Sequence, residues 1–363
     1  MRTTPELIIT GIKMTLVSII IFSSCDESPV IVNQYNFSDS AGVFIVNEGI
    51  YMQDNASLSF FNLDASRMYN DIFYVANETK LGDVACSMVI RGNIGYITIN
   101  NSGKIYSIDT RNVSFKGKIT GLVSPRYIYI VNDTKAYVTD LYSMKISIFN
   151  PAKNELTGEI DISNNAPFNQ HSSEQMAGYG QYVFIACWSF DNQILVVDTL
   201  TDLVVDSITV TKQPNSLVLD KNNKLWVLSD GGFTGSAYGQ EIAALTRIDP
   251  ETREIEQVFQ FPSIDDSPVD LALNGSADTL FFILRGINRM SITDEGLPAD
   301  VFIKSRNYDY YSLGIDPVTS VIYAGDALDY QQNGLVYRFY PDGELIDSFS
   351  VGICPGAFCF KRK

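Results

Sequence analysis

The chain holds a single histidine, His171. One imidazole cannot build a histidine-rich metal centre, and any Ser-His-Asp triad would have to use that one ring. No Gly-x-Ser-x-Gly nucleophile elbow accompanies it. The glycines form no phosphate-cradling loop between a strand and a helix, so the nucleotide-binding fingerprints are missing as well. No EF-hand loop is present, although loop carboxylates such as Asp140, Asp191 and Asp326 leave a calcium site open. Basic residues are scarce: Lys and Arg total 26 against 42 Asp and Glu, a net charge of −16. A surface of that sign repels phosphate backbones and offers no polybasic grip on anionic lipid, which argues against nucleic acid as a partner.

Membrane-length apolar runs are lacking too. The run from Met14 to Phe22 is too short to cross a bilayer as a helix. It follows Arg2 and Lys13 and precedes Ser23, Ser24 and Cys25, the layout of a secretory signal. A Cys directly after small residues resembles the bacterial lipoprotein signal, in which that thiol is acylated and becomes the new N-terminus. Phe22 stands where that motif usually has Leu. The expectation is a signal peptide over 1–24, a lipid-anchored tether over 25–40 and a folded domain over 41–363. Asp26 and Glu27 resemble the acidic export signal of Bacteroidota surface lipoproteins, which implies an outer-membrane, surface-exposed location. Cleavage would leave 24 basic and 41 acidic groups. It would also leave Cys86, Cys187, Cys354 and Cys359, in apolar runs without zinc-site or redox spacing. They read as buried free thiols.

The sequence is rich in aromatic and β-branched residues arranged in a repeat. Aromatic content is 12% and charged content only 19%, a balance that disorder does not tolerate. GYITINNSGKIYSIDT (95–110) aligns with AYVTDLYSMKISIFNP (136–151) at an offset of 41 residues. Further copies of the central strand begin near Val43, Tyr182, Leu225, Leu280 and Val321. Each copy holds four short runs, A to D, bounded by Gly, Pro, Asn and Asp, and none has sustained helical periodicity. Four antiparallel strands every 40–55 residues predict an all-β, seven-bladed β-propeller. The first blade begins at its B strand, GVFIV (42–46), and the chain ends on an A-like segment, PGAFCF (355–360). Pairing of these two would close the ring and bury two open edges.

The two rims of such a ring differ in composition. The C–D turns, such as PAKNE (151–155) and PDG (341–343), contain no aromatic residue and read as tight turns with an Asx or Pro start. The B–C loops carry Tyr51, Tyr142, Trp188, Phe190, Phe233, Tyr238 and Tyr330. Aromatic side chains in solvent-facing loops suggest a contact surface, because they offer large area at little entropic cost. The D–A segments on the same rim carry Arg126, His171, Glu174, Gln175, Asn215, Asp270 and Tyr311. The candidate ligand-binding set takes Arg126, His171, Gln175 and Tyr311 from these segments and joins them to the seven loop aromatics and to Gln53, Asn101 and Arg285. Trp226, inside a B strand, reads as core. No residue is assigned a catalytic role, and no cofactor or resident metal is expected.

Several stretches resemble a known family: GVFIVNEG (42–49), NASLSF (55–60), NDIFY (70–74), GDVACSM (82–88), NNSGKIY (100–106), SPRYI (124–128), AYVTDLY (136–142), SLGIDPVT (312–319) and PGAFCFK (355–361). They are similar to BtuG, the surface cobalamin-capture lipoproteins of gut Bacteroidota with a YncE-like propeller. Cys86 departs from the polar residue expected there. The resemblance implies tight binding of cobalamin (vitamin B12) or a related corrinoid. It also implies transfer of that ligand to the TonB-dependent outer-membrane transporter BtuB. A corrin is broad and flat, with amides round its edge, and suits a shallow aromatic bowl lined with Asn, Gln and backbone partners. His171 reads as a polar loop residue rather than a ligand to the corrin cobalt. Two other readings stay open: a lactonase-like or lyase-like propeller enzyme with a carboxylate-held metal, and a propeller whose aromatic rim binds another ligand or a polypeptide.

Overall fold

The computed structural model describes residues 35–164, 171–305 and 309–363. The expected signal segment and Cys25 lie outside these residues. Seven four-stranded antiparallel sheets follow one another along the chain. Six of them use four consecutive strands; blade three, for example, is Pro125–Asn132, Lys135–Asp140, Lys145–Asn150 and Glu155–Asp161. The A strands form the inner ring, each touching the next, and the last returns to the first. The protein is a seven-bladed β-propeller.

Alternation along the B strands explains the packing. Successive residues of a strand point to opposite faces of its sheet. Tyr96 therefore packs toward blade three while Ile97 packs toward blade one. Tyr137 and Val138, Trp226 and Val227, and Tyr323 and Ala324 divide their contacts in the same way. Seven apolar clusters result, one between each pair of adjacent blades. Trp226 is fully buried in one of them, and its indole N–H donates to Asp220 at 2.9 Å, so its polar atom is satisfied. All four cysteines of the described chain are free and buried.

The outermost strands are open edges, and the fold blunts them. In blades two, three, four, five and seven the D strand carries a one-residue bulge against its C neighbour. Bulges and charged side chains such as Lys116, Glu159, Asp206 and Glu256 discourage edge-to-edge pairing with other chains. Four of the C–D turns are Asx turns, one of the two starts expected of them. Side-chain oxygens of Asp109, Asn150, Asp198 and Asp249 accept the N–H two residues on.

Three features depart from expectation. A helix, Ile72–Asn77, occupies the D–A connection after blade one. Six residues are too few to display a helical period, and Ile72 and Phe73 hold it by burial between blades one and two. The expected tether does not stay outside the fold up to residue 40. Phe37 is 2% exposed, packs 4.4 Å from the ring of Phe60 and donates its N–H to the Arg111 carbonyl. Finally, Tyr340 immediately precedes the aromatic-free turn at 341–343 and is 49% exposed.

Closure runs through the two ends of the described chain. Gly42–Asn47 pairs with Ser57–Asn62 on one side and with Pro355–Lys361 on the other. Phe358 and Phe360 pack with Tyr323 of blade seven, and Cys359 joins the cluster facing blade two. Removing residues 354–363 is therefore expected to abolish the single cooperative unfolding transition in thermal denaturation. A truncated chain that melts at the temperature of the whole would refute closure by this strand.

Candidate ligand-binding rim

Antiparallel order places the B–C loops and the D–A segments at the same end of every sheet. On this rim Tyr51, Tyr142, Phe233 and Tyr330 are 65, 63, 54 and 54% exposed. They come from blades one, three, five and seven. Met52 and Met144 are exposed beside two of them. Phe190 approaches Phe233 edge-on at 6.5 Å, linking blades four and five. Tyr238 lies beneath the Lys212 ammonium, 5.0 Å from the ring centre. Phe190 and Tyr330 hold positive φ values of 57° and 62°, a conformation bulky side chains adopt at a cost of about 1 kcal/mol or more.

These loops are tied to one another. The Met52 N–H donates to both carboxylate oxygens of Asp83, at 3.1 and 2.9 Å, and Asn101 donates to the same group at 2.5 Å. Trp188 donates its indole N–H to Asp230 of blade five at 2.8 Å. Asp140 accepts from Val123, Ser124 and Tyr142 backbone N–H groups. Loops pinned in this way lose little freedom when a ligand settles on them.

At the mouth of the central channel a cavity of 500 Å³ is lined by Glu48, Arg126, Tyr127, Asp270, Tyr311 and Tyr330, among others. Inner-strand residues such as Arg126, Tyr127 and Asp270 share the wall with loop residues such as Glu48, Tyr311 and Tyr330. Arg126 bonds Glu174 of the next blade, at 2.8 and 3.0 Å to its two oxygens. The Tyr311 hydroxyl donates to Glu48 at 2.8 Å and its ring meets Tyr330 edge-on at 5.6 Å. Gln175 accepts the Leu217 N–H at 3.3 Å. Burial raises the Glu48 carboxyl, against the pull of Tyr311 and Arg126. Burial also raises Glu174, with Arg126 opposing. It pushes Asp270 up to about 7, partly offset by the Leu313 N–H that Asp270 accepts at 2.8 Å. The Cys86 thiol is pushed up to about 12 by burial, which keeps it protonated and a poor nucleophile.

Of the residues expected in the site, Arg126, Tyr311 and Tyr330 share the channel mouth. Tyr51, Tyr142 and Phe233 stand round it on the rim. Arg285 is not with them. It bonds Asp266 at 2.7 Å and lines a separate 140 Å³ cavity with Phe261, Pro262 and Leu297. Gln53 is exposed in the blade-one loop. His171 points its Nδ1 at Asp191, 2.5 Å away, and Asn101 and Trp188 are engaged in the loop-to-loop bonds above. Sequence reasoning missed Glu48, whose acidic side chain sits just before the turn glycine Gly49, and Asp83, which anchors two loops.

The fold is a closed seven-bladed propeller with an aromatic-bearing rim over a polar funnel. A family model described as "Domain of unknown function (DUF5074)" matches residues 41–351, and the chain belongs to that family. No curated protein matches the sequence. Among solved structures, a quinonprotein alcohol dehydrogenase-like protein from Bacteroides thetaiotaomicron superposes with a TM-score of 0.64 at 12% identity, covering 90% of this chain and 79% of that one. Kuenenia stuttgartiensis hydrazine synthase gives 0.59 at 14%, over 75% and 88%. The Cps50 (Swd1) β-propeller domain of Myceliophteria thermophila gives 0.60 at 9%, over 79% and 94%. At these identities the likeness is one of fold.

Asp270 provides a test of the funnel's electrostatics. Its folded-state value lies above the ordinary 3.8, so this group favours the fold below about pH 4 and withdraws that support as pH rises through about 7. Its φ of 58° suits Asn equally. Asp270→Asn is expected to melt with wild type near pH 4 and above it near pH 8. A gap between the two proteins that is the same at both pH values would refute this assignment.

Proposed function

We propose that this protein is a surface lipoprotein that captures a corrinoid, cobalamin in the first instance, on its aromatic rim and passes it to a TonB-dependent transporter without chemical change. One observation carries the reading: Tyr51, Tyr142, Phe233 and Tyr330 stand exposed on four different blades around a funnel rich in hydrogen-bonding groups. A single small ligand would not need aromatic contacts spread over so many blades. A broad, flat one would reach several of them at once. Covering the exposed half of one such ring, roughly 100 Å², is worth about 2.5 kcal/mol. Several rings together outweigh the cost of association only because their loops are already ordered. The resemblance of the strand and loop segments to cobalamin-capture lipoproteins supports the same ligand class, and cobalamin's low net charge suits an acidic protein. The signal-like segment ending at Cys25 supports the lipid anchor.

Calorimetric titration of the protein with cyanocobalamin is expected to give binding at micromolar concentrations or below. Tyr51→Ala, Tyr142→Ala and Tyr330→Ala should each weaken it by about 10- to 30-fold, the loss typical of a buried aromatic anchor. Tyr340→Ala, on the opposite rim, should leave it unchanged. Absence of heat at micromolar protein would refute the ligand. Equal losses from Tyr340→Ala and the rim variants would refute the surface.

A further inference from the structure

We propose that His171, Cys187 and Asp191 form a binding site for a divalent transition-metal ion, with zinc the best match. The three residues come from separate places in blade four: the segment before its inner strand, the end of strand B and the B–C loop. Their ligand atoms (an imidazole nitrogen, the Cys187 sulfur and a carboxylate oxygen) all lie within 4.8 Å of one another. The His171 and Asp191 side chains are 15 and 8% exposed, and Cys187 is fully buried.

The geometry is close to what a metal requires. Zinc bonds of about 2.3 Å to sulfur and about 2.0–2.2 Å to nitrogen and oxygen put tetrahedral ligand atoms roughly 3.2–3.8 Å apart. A bound metal would replace the His171–Asp191 hydrogen bond, parting those two atoms by roughly 1 Å and drawing the sulfur in by at most about 1 Å. The backbone itself is held. The Trp188 N–H donates to the Ser172 carbonyl at 2.8 Å, joining the neighbours of Cys187 and His171. The Gln213 N–H donates to the Asp191 carbonyl, also at 2.8 Å. One carboxylate oxygen of Asp191 accepts the Asn192 N–H at 2.7 Å, leaving the other turned to the imidazole. The Asn164 carboxamide lies 3.2 Å from the ring and can orient it.

The donor set selects the ion. Calcium and magnesium want an all-oxygen shell of six or more ligands, which one carboxylate does not supply. A thiolate with an imidazole and a carboxylate suits borderline-soft ions such as zinc or cobalt(II). Binding forms a metal–sulfur bond and releases the thiol proton to solvent. Three protein ligands leave a fourth position for water or an incoming donor atom. This site is independent of the corrinoid reading, since the metal alone is the probe.

The untagged protein, stripped with chelator, would be titrated with Co2+ and followed by absorption. The expected result is one equivalent bound, with an intense near-ultraviolet thiolate-to-cobalt band that Zn2+ abolishes by displacement. Cys187→Ser should lose the band. Even outer partners of a metal ligand are worth about 10- to 100-fold in affinity, so His171→Asn and Asp191→Asn should each weaken Co2+ binding at least about tenfold. His171→Asn lies outside the apolar cluster and serves if Cys187→Ser does not fold. No near-ultraviolet band in the wild-type protein would overturn the site. A band that survives Cys187→Ser, or an affinity untouched by His171→Asn and Asp191→Asn, would do the same.

Discussion

No blade of this molecule has a core of its own. Each sheet sends alternate side chains to the blade before and the blade after, so both of its faces are apolar and both must be covered. An isolated sheet would leave rings such as Tyr137 or Trp226 in water on one side. The ring therefore has to close, and one antiparallel pairing closes it, between Gly42–Asn47 and Pro355–Lys361. That pairing joins residues from opposite ends of the chain, and every inter-blade cluster depends on it for its spacing. The Phe358 and Phe360 contacts with Tyr323 make the same junction by packing.

The two rims of the closed ring are unequal. One carries tight turns and the other carries the cross-linked loops with their exposed aromatics. Hydrogen bonds such as Met52 to Asp83 and Trp188 to Asp230 run between loops, so the aromatic surface is already in place before anything binds. A rigid ring lets the rim keep conformations that cost energy, such as the positive φ of Tyr330.

The funnel holds polar groups at a cost to folding. Glu48, Glu174 and Asp270 are three carboxyls held in poor solvation, and Arg126 offsets the cost for Glu48 and Glu174 only. Burial raises all three, so above neutral pH the fold carries charges it would be more stable without. Apolar residues there would pack better, but they would leave the channel mouth without hydrogen-bonding groups. Polar groups gathered at such a cost are a common mark of a binding site.

Local chemistry made much of this protein legible in one dimension. Alternating runs placed the B strands to within a residue, because a strand's pattern reflects only its own two faces. The short C–D stretches could be read as tight turns with an Asx or Pro start, since such a turn needs little beyond its own residues. PGAFCF could be matched to the missing inner strand of blade one by counting. What tertiary structure alone decided is which side chains meet across the ring. Tyr311 finds Glu48 from 263 residues away, Arg126 finds Glu174 from 48, and His171 meets Cys187 and Asp191 only once blade four is folded. Arg285 belongs to a different cavity from the residues it was grouped with. Alternation says which face of its sheet a residue occupies, but the packing of one blade on the next sets its partner, and that packing exists only in the closed ring.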